Sequence, residues 1–170
     1  EDAAKLPAGS RIIYAGDYNF YSSGESGYEA LVAEGPVAAI DPFGNGSWSG
    51  SSNAIKHTQS PRDVSSGGLV GGSLDDRFDF QLPTIVLSDG VGMDSIPDTY
   101  RSLGNDGNHY DVAINDGTNS YFPGDNQRSN ALADDLFDAS DHVPVLVDYA
   151  IPAILGASMT ESFGDIIVGG

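Results

Sequence analysis

The stretch ASDHVPVLVDYAIP, residues 139 to 152, decides how the chain is read. Ser140, Asp141 and His142 stand side by side immediately before VPVLVDYAI (143–151), the most convincing strand-like run in the sequence. A trio of this kind is either a turn or the tip of a site held out by a rigid sheet. Which of the two depends on what stands at the other strand ends.

Working outward, RIIYA (11–15) reads as a short buried strand. RFDFQL (77–82) alternates apolar and polar residues, and TIVLS (84–88) follows Pro83 as a second strand-like run. SGYEALVAEG (26–35) carries Tyr28, Leu31 and Val32 at helical spacing, with Ser26 as N-cap and Gly35 as the stop. ALADDLF (131–137) supplies one or two helical turns. Between these lie two long loops, 41–73 and 89–130, rich in Gly, Ser, Asn and Asp. Long loops in a compact domain tend to carry function. No internal repeat is present. The order suggests a layered α/β protein with acidic and amide residues at its strand ends.

Composition narrows the function. With 170 residues the chain is one domain's worth, large enough for a real core. It has no Cys, which removes disulfides, thiolate metal sites and Cys nucleophiles. No apolar run is long enough to span a membrane. The opening EDAAKLPAGS lacks the basic and apolar regions of a signal peptide, as a processed chain also would. Twenty-five acidic residues against seven basic ones give a net charge of −18, which repels nucleic acid and anionic membranes. The acids are spread along the whole chain, so the first expectation is a salt-adapted or extracellular solvated surface. Divalent-cation binding and a basic partner stand behind it.

Three strand ends carry the chemistry. In GDYN (16–19), Asp17 and Asn19 point the same way if the strand continues, because side chains alternate with period two. A carboxylate beside a carboxamide suits positioning a water and donating to a phosphoryl oxygen, although Gly-Asp-x-Asn is also good turn chemistry. In DDRFDF (75–80), Arg77 and Asp79 share a strand face. That is either an exposed salt bridge or, for Asp79, a carboxylate that orients an imidazole. In SDHVPV (140–145), Asp141 offers a hard oxygen ligand and His142 a base of near-neutral pKa.

Taken together, GDYN, RFDF and SDHVPV in this order resemble the endonuclease/exonuclease/phosphatase (DNase I-like) superfamily, in the manner of secreted bacterial multidomain members. The resemblance covers residues 1 to 150 and only the family's C-terminal half. It implies an α/β fold, the loop-rich C-terminal half of a four-layer α/β sandwich, with residues 151–170 as a tail or linker to a following domain. It implies an extracellular or cell-surface phosphoesterase, a nuclease or phosphodiesterase before a lipid or small-molecule phosphatase, using Mg²⁺ (or Mn²⁺ or Ca²⁺). By this carry-over Asp17 positions the water, Asn19 bonds the phosphoryl group, Asp79 holds His142, and His142 acts as base or donor. Asp141 and Asp17 bind metal. Apart from the carry-over, Arg77 is a candidate substrate contact, and His57 is either a loop histidine or a second such contact, since its loop enters beside DDRFDF.

The family's metal-binding Glu and upstream strands have no counterpart among Glu1, Glu25, Glu29, Glu34 and Glu161. The expectation is therefore a fragment or subunit, completed by the N-terminal half of the same domain or by a partner chain, and inactive alone. A competing expectation is a non-catalytic structural or assembly module on the same fold. His109 reads as a turn residue and Trp48 as packing onto the domain. NDGNHYDVAINDGTN (105–119) fails the twelve-residue EF-hand pattern, and Asn45-Gly46-Ser47 is a formal glycosylation acceptor.

Overall fold

The structure, a computed structural model, describes residues 2–152. Its centre is an antiparallel ladder of β1 (Ile13–Asp17) and β2 (Asp79–Pro83), in register from Ile13 opposite Pro83 to Asp17 opposite Asp79. Alternation along β2 sends Phe80 and Leu82 to one face and Asp79 and Gln81 to the other. Phe80 and Leu82 join Tyr28, Ala39 and Trp48 in a buried aromatic cluster, onto which Tyr14, Tyr18, Phe20, Leu31 and Val32 pack. Tyr28, Leu31 and Val32 come from α1 (Ser26–Val32), as their helical spacing predicts. The capping differs from the expectation. Glu25 holds the N-cap position, and its carboxylate accepts from the N–H groups of Tyr21 and Ser22.

A second core forms where α2 (Asn126–Ala139) buries Ala133 and Leu136 against Leu74, Ile114 and Val143. This helix is longer than the predicted 131–137. Its first turn is polar, and Asp125 caps it by accepting from the N–H of Arg128 at 3.0 Å.

Two strand expectations are corrected. TIVLS is not a strand: Ile85–Leu87 form a 3-10 turn that buries Leu87. The reason is that Thr84 already meets the end of the neighbouring segment, exchanging hydrogen bonds with Ile12, and beyond it the Leu87 carbonyl accepts from the Ser95 hydroxyl, a side-chain partner in place of a backbone ladder. The run 143–151 is two short strands. β5 (Val145–Leu146) pairs with β4 (Arg101–Ser102), and β6 (Tyr149–Ala150) pairs with β3 (Asp94–Ser95). Between them the N–H of Asp148 turns to the Thr99 hydroxyl at 3.0 Å, a side-chain partner that interrupts the backbone ladder.

The long polar loops are ordered by their own side chains. Asn105 and Asn119 are buried, donating to the carbonyls of Ala54 and His57 and of Gly104 and Ile114 respectively. Asp106 accepts from the N–H of Asn108 and of Ser120, from the Ser120 hydroxyl and from His109. Among the described residues no helix is long and apolar enough to cross a membrane. The expected tail lies almost wholly outside the described residues.

Candidate active site

The ladder sets two carboxylates side by side, because Asp17, the last residue of β1, pairs directly with Asp79, the first of β2. Both belong to the face turned away from the aromatic cluster. The segment His57–Ser60 then joins this ladder to residues 140–143, through an isolated antiparallel bridge between Gln59 and His142. Thr58 Oγ1 accepts from the N–H of Phe78 and of Asp79, while the Thr58 carbonyl accepts from the N–H of Val143. This bridge carries His142 over the carboxylates. Its Nδ1 lies 2.7 Å from Asp79 Oδ2, and Asp17, Asp79 and His142 offer ligand atoms that all lie within 4.8 Å of one another. Among the described residues this is the one group of three His or acidic side chains close enough to share a metal ion.

The electrostatics follow from the contacts. With Asp79 as acceptor, the Nδ1 of His142 carries the hydrogen and Nε2 of the neutral ring is an acceptor. Nε2 faces the side-chain amide of Gln59 at 2.9 Å. His142 and Asp79 are partly buried, while Asp17 is open to solvent. Asn19 is exposed with φ of 53°, and its N–H donates to Asp17 Oδ1 at 3.1 Å. The structure thus ties Asn19 to the trio through Asp17. The carboxylate of Asp141 points elsewhere: its Oδ2 accepts from the N–H of Val70 at 2.9 Å. That bond is the main cause holding Asp141 below the usual carboxylate range.

Two expected substrate contacts are corrected. Arg77 is 1% exposed; its guanidinium makes a two-point pair with Asp41 at 2.7 and 2.9 Å and a bond to the Tyr100 hydroxyl at 3.1 Å. It lies over the ring of Phe80 at 4.3 Å, on the side of the ladder opposite Asp79. Strand alternation begins only at Asp79, so the two residues do not share a face. His57 is wholly buried, with Nε2 2.7 Å from the Trp48 carbonyl and Nδ1 3.3 Å from that of Leu74. Neither side chain is open to a ligand. His109 is likewise internal, bonded to Asp106 at 2.8 Å and to the Asp116 carbonyl at 3.0 Å, and Trp48 is buried in the first core.

Sequence reasoning missed Gln59, Thr58 and Asp41. All three lie in the long loop 41–73, which has no periodicity to place them. The only advance signal for Asp41 was the apolar setting of Arg77 in RFDF, which makes an acidic partner necessary. Comparison of the chain with protein-family models, with curated proteins and with solved structures finds no match.

Proposed function

We propose that this chain carries the catalytic carboxylates and histidine of a divalent-metal-dependent phosphoesterase, acting on phosphodiesters such as nucleic acid, in a secreted or cell-surface setting. The observation that carries the reading is the convergence of Asp17, Asp79 and His142, from segments far apart in the chain, with the His142 Nδ1 on Asp79. Two carboxylates on neighbouring strands with an imidazole beside them fit a hard divalent ion, Mg²⁺ before Mn²⁺ or Ca²⁺. Asp17 is the solvent-facing ligand, and Asp141, whose carboxylate is engaged by the N–H of Val70, lies outside the trio. Such an ion, when bound, neutralises charge developing on the phosphoryl oxygens.

The chain's own residues do the rest. Asp79 fixes the imidazole in the tautomer whose Nε2 accepts a proton, as a carboxylate does in other acid–base pairs. His142 takes the proton of the attacking water as the new O–P bond forms, and the leaving oxygen departs with the electron pair of the bond that breaks. Asp17 orients that water, and Asn19 donates its side-chain amide to a phosphoryl oxygen.

Completion by the other half of a four-layer sandwich, from the same protein or a partner chain, is part of the proposal. The support is the face of β1 turned away from the aromatic cluster, where Ile13, Ala15 and Asp17 are exposed. Apolar residues beside a site on an open sheet face are what a second sheet would cover.

The experiment is plasmid nicking and bis-p-nitrophenyl phosphate hydrolysis by the assembled protein with Mg²⁺ or Mn²⁺. His142→Ala is expected to lower the rate about 10²- to 10⁴-fold, and the 170-residue chain alone to show no turnover. A wild-type rate in His142→Ala, or full turnover by the chain alone, would overturn the corresponding part of the proposal. An assembled protein inert toward every phosphoester would favour the structural-module alternative.

A further inference from the structure

Gln59 adds a fourth side chain to the site. Its amide nitrogen lies 2.9 Å from Nε2 of His142, across the ring from Asp79 at Nδ1. A ring bonded at one nitrogen can still swing about that bond, whereas a ring bonded at both is fixed in its plane. Asp79 takes the Nδ1 hydrogen, so the lone pair of the neutral ring is on Nε2, and the amide N–H is the donor that satisfies it. The main chain of Gln59 is anchored separately. Its N–H donates to the Asp76 carbonyl at 3.0 Å, and its carbonyl accepts from the N–H of Asp75 and of Asp76 at 3.1 and 3.0 Å. The side chain can therefore be replaced while the backbone stays held.

We propose that Gln59 is a positioning residue for His142: its amide, on the Nε2 lone pair, fixes the imidazole plane in the resting site, and the attacking water takes the amide's place at that lone pair. The clamp rests on geometry, and only the identity of the group that replaces the amide rests on the phosphoesterase reading. Because Asp79 occupies Nδ1, Nε2 is the nitrogen that must meet a water, and the amide holds it until then. A neutral amide adds no charge to a carboxylate-rich site, and its bond is weaker than a charge-assisted one, so it exchanges readily.

Two readouts test this. Only three His occur in the chain, so ¹⁵N-His labelling of the full 170 residues gives a resolved side-chain spectrum. In Gln59→Leu, with Gln59→Ala as the second variant should Leu disturb the backbone spectrum, the His142 Nε2 resonance is expected to shift and its ring protons to broaden, with His57 and His109 unchanged. Unchanged His142 resonances would overturn the clamp. In the assembled protein, the same variants are expected to lower kcat about tenfold with KM unchanged, as misorientation of a reacting group does. A loss confined to KM would overturn the positioning role. If wild-type assembly turns over no phosphoester, the phosphoesterase reading fails and the spectra alone decide the clamp.

Discussion

Arg77 shows how an interior charge is tolerated. Its guanidinium is fully desolvated, yet it meets Asp41 at two points, touches the Tyr100 hydroxyl, and lies against the rings of Phe80, Phe43, Trp48 and Tyr100. Asp41 is satisfied in turn by the Tyr28 hydroxyl and the N–H of Phe43. Removing one partner strands the other charge in an apolar setting. Arg77→Ala is therefore expected to destabilise the fold by about 3–5 kcal/mol, measured by denaturant unfolding. Arg77→Lys should recover only part of that, because the two-point geometry is lost. A change below about 1 kcal/mol in Arg77→Ala would mean that the pair is not desolvated in solution. Asp106 is the opposite case, a carboxylate stabilised as an anion. Burial pushes its pKa up, but the N–H groups of Asn108 and Ser120, His109 and the Ser120 hydroxyl together outweigh that and hold it well below the usual carboxylate range. A depressed pKa in the folded state contributes stability above the unfolded carboxylate value of about 3.9, lost as pH falls below it. Asp106→Asn should thus be less stable than wild type at pH 7 and lose less stability between pH 5 and pH 2. Parallel acid-unfolding profiles for the two proteins would contradict that assignment.

Among elements, what was legible in the sequence tracks where local pattern and tertiary pairing agree. β2 was readable because RFDFQL alternates, and β1 because RIIYA is a short apolar run. The ladder covers only Ile13–Asp17 and Asp79–Pro83, however, and the burial expected of RIIYA is not met, since Ile13 and Ala15 are exposed. The α1 face was readable because Tyr28, Leu31 and Val32 repeat at 3–4 residues. The start of α2 was not: Asn126 to Asn130 show no apolar period, and the helix begins on the cap that Asp125 provides. Asp125→Ala is accordingly expected to cost about 1 kcal/mol of stability, by thermal or denaturant unfolding, and no measurable cost would mean that the first turn is held by packing alone. The 143–151 run misled for the converse reason. Its apolar content suits one long strand, but its partners are two short segments, and Thr99 takes the N–H between them. At the site, Asp17, Asp79 and His142 were legible because each abuts a strand end. Arg77 and His57 were misplaced because their partners, Asp41 and the carbonyls of Trp48 and Leu74, come from sequence-distant loop positions that no spacing rule reaches.

At the scale of the molecule, two cores of modest size among the described residues support a chain with a net charge of −18, and the site lies where loop, ladder and the 140–143 segment meet. The arrangement leaves the chain's histidines in sharply different settings: His57 and His109 are internal, and His142 faces two carboxylates. That difference permits a direct test of convergence. Titrating Mn²⁺ into the ¹⁵N-His-labelled chain should broaden the His142 side-chain resonances selectively, at metal concentrations that leave His57 and His109 sharp. Asp17→Asn combined with Asp79→Asn should abolish the selectivity. Broadening of all three histidines alike, or selective broadening that survives the double substitution, would contradict a cation site on Asp17 and Asp79 with His142 beside it.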